Sequence, residues 1–180
     1  VVSSNDPDEN PVIVPAHLRV TGAPDIALSD SLFAFGELFI GAVRTDTLLV
    51  RNEGTDLLDV TSLSTDVPVF SVEPTSFQLA PDQSQIVLVS FAPSEPGPAP
   101  GVLTILSNDP DEATLALPLS GTGLVPPDIA VTPDSLSADL FTGEQTTRTL
   151  NIANTGGSDL SYEISVSGTS ALAASARISQ

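Results

Sequence analysis

The chain has 180 residues and a formal net charge of −18, with 23 acidic residues against five arginines and no lysine. Such a surface repels phosphate groups, which argues against binding to nucleic acids or to anionic membranes. Hydrophobic residues make up 41% of the chain, too many for a disordered protein, and 16 prolines with 12 glycines indicate many turns and few helices. No apolar run is long enough to span a bilayer, so no membrane insertion is expected.

The absence of cysteine excludes disulfide bonds and thiol chemistry. An acid-rich surface without lysine keeps a protein soluble in strong salt or collects divalent cations. The chain starts without a methionine or a signal peptide, which we interpret as a processed chain or a fragment.

Short apolar runs between turn signals predict an all-β chain. The predicted strands, in chain order, are 25–28, 47–52, 57–63, 69–73, 77–79, 85–91, 101–109 and 112–121. Alternation places Leu103 and Ile105 on one face of a strand, and Leu115, Leu117 and Leu119 on one face of the next. Seven or eight short strands in about 100 residues predict a β-sandwich.

Aromatic, proline and glycine positions refine this prediction. The expected aromatic core is Phe35, Phe70, Phe77 and Phe91. Pro118 has no amide hydrogen to donate, so its strand is predicted to lie at a sheet edge or to carry a bulge. RNEGTD (51–56) and ANTGGSD (153–159) predict turns, in which Asn and Gly are expected because they tolerate positive φ.

The sequence repeats itself at a spacing near 100 residues. SNDPDE occurs twice, with Asn5 and Asn108 103 positions apart. TGAPDIAL (21–28) matches TGLVPPDIAV (122–131), and TLLVRNEGTDL (47–57) matches TLNIANTGGSDL (149–160). We therefore predict tandem sandwich repeats. The predicted division is the closing strands of one repeat in 1–22, a complete repeat in 24–123, the opening half of a further repeat in 125–168, and an unassigned tail in 169–180.

The same motifs support a resemblance to a known family. Strands that end in Asn-x-Gly (VRNEG and IANTG), followed by VSFAP, LTILSNDPDE and LPLSGTG, resemble bacterial choice-of-anchor D repeats. These repeats belong with the abnormal-spindle/Hydin (ASH) type of immunoglobulin-like sandwich, related to the major-sperm-protein and PapD-like folds. The resemblance covers nearly all of residues 1–168. It implies a non-catalytic module of a large secreted or surface protein, although one such fold serves many functions.

The repeated motif also allows a calcium site. Its two copies supply oxygen ligands of the kind that Ca²⁺ prefers: Asn108, Asp109, Asp111 and Glu112, and Asn5, Asp6, Asp8 and Glu9. The spacing is not that of an EF-hand, because the glycine at the sharp turn and the distal glutamate are missing. A turn is the favoured interpretation, since Pro110 presets φ for a turn and the flanking strands then form a hairpin. No cofactor is expected.

The sequence predicts no catalytic site. His17 is the only histidine and has no carboxylate at a metal-binding spacing, so a surface position is expected. With one histidine, no cysteine and no lysine, activation of a serine nucleophile is close to excluded. Paired carboxylates are left open, although the acidic residues fall mostly in turns, where solvation explains them. Tyr162 is the only tyrosine and tryptophan is absent, so the chain lacks an aromatic platform for sugars or bases.

The expected function is structural. TGAPD (21–25) and GTGLVPPD (121–128) predict linkers, the second stiffened by two prolines. We expect a stalk, spacer or fibre-forming module of an extracellular or cell-surface bacterial protein, with neighbouring repeats or copies of itself as partners. The incomplete repeats could pair head to tail between copies, but a fragment of a longer array is favoured. The alternatives are an adhesin-like protein-binding module, a calcium-stiffened repeat and an accessory domain of a secreted enzyme.

Overall fold

The computed structural model describes residues 1–8 and 11–165. The last residues of the third predicted repeat and the unassigned tail lie outside these ranges. The described strands are β1 Ile26–Leu28, β2 Phe33–Phe39, β3 Arg44–Asn52, β4 Leu58–Thr65, β5 Phe70–Glu73, β6 Phe77–Leu79, β7 Ser84–Phe91, β8 Gly97–Ser107, β9 Thr114–Leu124, β10 Ile129–Thr132 and β11 Asn151–Asn154. In the described part of the chain, no helix is long and apolar enough to cross a membrane.

Strands β1 to β9 form a sandwich of two sheets. One sheet has the order β1-β3-β7-β5 and the other the order β2-β9-β8-β4-β6. Every neighbouring pair is antiparallel except β2 and β9, which run parallel. The all-β class and the immunoglobulin-like sandwich are thus confirmed. Strands β10 and β11 form a separate two-stranded antiparallel sheet.

The hydrophobic core lies between the two sheets of the sandwich. Alternate residues of β3, β7 and β8 are fully buried, as the period-2 pattern predicts: Leu48, Val50, Val87, Val89, Leu103 and Ile105. Packed rings of Phe33, Phe35, Phe70 and Phe91 form the aromatic part, with centroids 5.0 to 6.2 Å apart. The prediction was wrong for Phe77, which lies at the edge of the core and is only partly buried.

The sequence analysis does not predict strand β2. Phe33 and Phe35 alternate inward, but the pairing with β9 shifts register between Ala34 and Glu37. Beyond this shift the inward position is Leu38, which packs against the core, so the alternation is displaced by one residue. Gly36 supplies the extra residue of this bulge with a φ of 68°, a conformation that glycine adopts without strain. The bulge therefore hides the strand from a period-2 search.

The prediction that the strand of Pro118 lies at a sheet edge or carries a bulge was wrong. β9 lies between β2 and β8 rather than at an edge, and the irregular pairing is on β2. Pairing with β2 starts only at Leu119, so Pro118 has a partner strand on one side alone. Ser107 N donates to Ala113 O, so these two residues form a hydrogen-bonded pair of the β8–β9 ladder. Hydrogen-bonded and non-hydrogen-bonded pairs alternate along an antiparallel ladder, which makes Val102 and Pro118 a non-hydrogen-bonded pair. The nitrogen of Pro118 therefore points away from β8. The missing amide hydrogen therefore removes no ladder bond.

Candidate functional site

The repeated SNDPDE motif forms the predicted hairpin between β8 and β9. Asp109 Oδ1 accepts hydrogen bonds from Asp111 N at 3.1 Å and from Glu112 N at 3.2 Å. The amide of Asp109 donates to Ser107 Oγ at 3.2 Å. An Asp side chain that bonds the backbone two residues on is a common way to build a tight turn. The favoured interpretation of this segment as a turn is confirmed.

Asp109 also connects the two sheets. Its Oδ2 accepts from Ile26 N at 2.7 Å, across 83 positions of sequence, and the side chain is fully buried. Ile26 lies in β1 of one sheet, whereas the hairpin belongs to the other sheet. Burial alone would raise the pKa of the Asp109 carboxyl, but the hydrogen bonds from three amides stabilise its ionised form, so its pKa lies below the ordinary value.

Asn108 fixes the hairpin to strand β4. Its Oδ1 accepts from Asp59 N at 2.8 Å and its Nδ2 donates to Leu57 O at 3.0 Å. Its own amide donates to Asp59 O at 3.1 Å. The side chain thus occupies the place of a backbone pairing partner, and its oxygen points to β4 rather than toward the acidic residues of the loop.

The structure assembles a carboxylate cluster that differs from the predicted calcium ligands. Asp25, Asp109 and Glu112 have carboxylate oxygens within 4.8 Å of one another. Asp25 was not among the candidates, and the candidate oxygen of Asn108 accepts from Asp59 N instead. Hydrogen bonding to Asp109, and then the negative charge of Asp109, raise the pKa of the Asp111 carboxyl. Within this cluster, the two carboxylate oxygens of Asp109 already accept three amide hydrogens.

The first copy of the motif has the local geometry of the second. Asp6 N donates to Ser4 Oγ at 3.2 Å, and Asp8 N donates to Asp6 Oδ1 at 3.3 Å. Val2 and Val12 exchange both backbone hydrogen bonds, at 2.9 and 3.0 Å. Each of these contacts corresponds to one in the β8–β9 hairpin at an offset of 103 positions. Asn5, Asp6 and Asp8 are exposed, and Glu9 lies outside the described residues.

The two Asn-x-Gly turns also share one local geometry. Asn52 is fully buried, and its Oδ1 accepts from Gly54 N at 3.0 Å while its Nδ2 donates to Asp56 O at 2.8 Å. Asn154 makes the same two kinds of bond, from Gly156 N at 3.0 Å and to Ser158 O at 2.7 Å.

The predicted reason for these glycines was wrong, because neither Gly54 nor Gly156 has a positive φ. A Cβ at Gly54 would lie 2.3 Å from Ala23 O, and one at Gly156 would lie 2.2 Å from Pro126 O. Glycine is required at both positions because another backbone segment passes directly over it.

Two further features of the described residues are His17 and a surface groove. His17 is exposed, as expected. An open groove of about 390 Å³ lies between β1 and the first half of β9, with Ile26, Leu28, Leu115 and Leu117 along it and Asp30 and Glu112 among its lining residues. Residues 114–118 of β9 pair only with β8, so their other backbone edge faces this groove.

The topology and the packed core define an immunoglobulin-like sandwich of the ASH type. The model of the HYDIN/CFA65/VesB-like, Ig-like domain matches residues 24–121, and the chain belongs to that family. Immunoglobulin-like domains of this kind are generally non-catalytic scaffolds.

Two solved structures have similar folds. The chain is 20% identical to the ASH/PapD-like domain 7 of human CEP192, with a TM-score of 0.50, over 63% of this chain and 98% of that one. It is 19% identical to a protein of unknown function from Porphyromonas gingivalis W83, with a TM-score of 0.50, over 55% of this chain and 46% of that one. No curated protein matches the sequence.

Proposed function

We propose that this chain is part of a tandem array of immunoglobulin-like units that carries tension as a stalk or spacer, without catalysis. The observation that carries the proposal is the parallel pairing of β2 with β9, from Phe33 with Leu119 to Phe39 with Leu124. The chain enters the unit through residues 22–25 and β1, which directly precede β2, and it leaves the unit after β9. Tension that passes β1 therefore pulls β2 and β9 in opposite directions along their length and loads all the hydrogen bonds between them at the same time.

Support for the array comes from the segments on either side of the unit. The contacts among residues 2–8 and Val12 repeat those of the β8–β9 hairpin, and residues 151–158 repeat the end of β3 and its turn. Val2 and Val12 are exposed, whereas their counterparts Ile105 and Leu115 pack in or against the core. Burial of these valines against further strands of a unit would stabilise such an array.

The test is single-molecule pulling in two directions on the same protein. Because the chain has no cysteine, one introduced cysteine gives a unique handle. Pulling between the chain termini should unfold the unit in one step that releases roughly 300 Å, at about 3.4 Å per residue. Pulling between the N-terminus and a handle at residue 111 applies force across the strands at one end of the sandwich, and should unfold the unit at a clearly lower force. Equal forces in the two directions would contradict a tension-bearing role.

We propose an extracellular or cell-surface setting for this array. The acidic, lysine-free and cysteine-free composition supports it, since such a chain stays soluble and needs no reducing compartment. Fractionation of cells that express the native gene, with protease added outside, tests this. Protection of the protein from the external protease would exclude a surface location.

A protein-binding module is the second candidate function. The unpaired edge of residues 114–118 borders a groove lined by both apolar and polar side chains, and an extended peptide could add there as a strand. Asp30 and Glu112 favour a peptide with basic residues at both ends. The probe is a short capped peptide of alternating valine and threonine with arginine at both ends, compared with a glutamate version. Chemical-shift changes at Ala116 and Leu117 with the arginine peptide alone would support binding, and no changes would exclude it.

A further inference from the structure

The segment that enters the complete unit is bonded across the Asn-x-Gly turn. Glu53 N donates to Asp25 O and Thr55 N donates to Ala23 O, both at 2.8 Å. Asp25 N in turn donates to Asn52 Oδ1 at 3.3 Å. We call this contact between residues 22–25 and 52–56 the first linker dock.

Residues 125–128 and 154–158 form a second linker dock with the same hydrogen bonds. Thr155 N donates to Asp128 O at 2.7 Å, and Gly157 N donates to Pro126 O at 3.2 Å. Asp128 N donates to Asn154 Oδ1 at 3.1 Å. The two docks therefore share a backbone arrangement at positions 102 or 103 residues apart.

One contact in the two docks is built with reversed side-chain sizes. In the first dock Gly22 lies against Thr55, and a Cβ at Gly22 would be 3.1 Å from Thr55 Oγ1. In the second dock the corresponding residues are Val125 and Gly157, and a Cβ at Gly157 would be 2.7 Å from Val125 Cβ. Each dock thus has room for one side chain at this contact. The turn supplies it in the first dock (Thr55), and the entering segment supplies it in the second (Val125).

The two docks also differ in hydrogen bonding at this contact. Ala23 N donates to Thr55 Oγ1 at 3.3 Å in the first dock. In the second dock Pro126 has no amide hydrogen at the corresponding position, and Gly157 has no hydroxyl to accept one. The first dock therefore has both the donor and the acceptor of this hydrogen bond, and the second dock has neither.

We propose that each Asn-x-Gly turn is a receptor matched to the segment that enters its own unit, so that linkers cannot be exchanged between units. This inference rests on the tandem array proposed above. Strand β9 ends at Leu124, and the next residue is already held, because Ser158 Oγ donates to Val125 O at 2.6 Å. The second dock therefore leaves no free residue between the end of β9 and the segment that is bonded to the turn at 154–158.

Size reversal provides the test, in the full chain. Gly157 does not have a positive φ, so Gly157→Thr is opposed by Val125 and not by the backbone conformation. The single variant should lower the hydrogen-exchange protection of the Thr155 amide by about tenfold or more. The double variant Val125→Gly/Gly157→Thr recreates the Gly22–Thr55 pair and should restore protection to within about threefold of the parent chain.

In the first dock, the matched experiment moves the side chain from the turn to the entering segment. Thr55→Gly should lower protection of the Glu53 amide, and Gly22→Val added to it should restore protection. Amides of β3 and β7 in the same spectra report whether the sandwich is intact.

Unchanged protection in either single variant, or no recovery in either double variant, would overturn the inference. If the docks fail this test while the direction-dependent pulling result holds, the tension-bearing function stands without matched linkers. If the pulling result fails while the docks recover, matched linkers stand without the tension-bearing function.

Discussion

Replacement of Asn52 by alanine should strongly destabilise the complete unit. The fully buried side chain accepts from Asp25 N and Gly54 N and donates to Asp56 O and Leu79 O, at 2.8 to 3.3 Å. At about 1 kcal/mol of net stabilisation for each hydrogen bond, the four bonds contribute about 4 kcal/mol. For a domain whose free energy of unfolding is about 5–15 kcal/mol, this is a large fraction.

Asn154→Ala is the matched control in the same chain. Asn154 is exposed, and its Nδ2 donates to Ser158 O. Its removal should change the unfolding free energy of the complete unit by less than about 0.5 kcal/mol. Urea denaturation followed by far-ultraviolet circular dichroism measures both variants, and an unchanged m-value would show that the unfolded state is comparable. A loss below about 1.5 kcal/mol for Asn52→Ala, or equal losses for the two variants, would refute the reasoning.

Further predictions concern the hairpin and the core. The lowered pKa of Asp109 in the folded state means that its stabilisation is present above the ordinary aspartate pKa and is lost as pH falls through its folded pKa. Asp109→Asn should therefore lower the unfolding free energy at pH 7 by about 1–3 kcal/mol and weaken its pH dependence at acid pH, as measured by urea titrations; an unchanged pH profile would refute this. The pKa of Asp111 is raised in the folded state, so its ionised carboxylate lowers the stability of the fold at pH 7. Asp111→Asn should therefore increase stability at pH 7 and lose this advantage at low pH, where the carboxyl is protonated. Millimolar calcium should leave the melting temperature unchanged, and a rise that disappears in Asp109→Ala would establish a calcium site. Gly121→Ala should destabilise by about 1–3 kcal/mol in the same assay, because its Cβ would lie 2.5 Å from ring atoms of Phe91, and an unaltered variant would show that the ring can move.

The sequence predicts those strands whose burial follows a regular alternation. Leu103 with Ile105, and Leu117 with Leu119, face the core as expected, since nothing interrupts the period of two. The bulge at Gly36 breaks the period within β2, and that strand was missed. Composition and the local alternation of apolar residues therefore predict the sandwich, whereas a register shift such as that between β2 and β9 is known only from the structure.

The long-range roles of the SNDPDE motif could not be predicted. Its turn follows from local chemistry, because Asp109 bonds amides two and three residues later. Its bond to Ile26 and the bonds of Asn108 to the start of β4 join positions far apart in sequence. A single sequence does not tell which distant amide will meet a given carboxylate, and the calcium hypothesis arose from acidic residues whose actual partners are backbone groups.

The pairing of β2 with β9 also determines when a unit can close during synthesis. Phe33 and its partner Leu119 are separated by most of the unit, so the ribosome has to release all eleven residues of β9 before the sheet is complete. Until then the edge of β2 is unpaired, and in an array the same edge would be open in any neighbouring unfinished unit. Strands of adjacent units with similar sequences could then exchange. In the proposed array, differences between successive units, such as the reversed Gly22–Thr55 and Val125–Gly157 pairs, would favour correct closure of each unit over exchange with its neighbour.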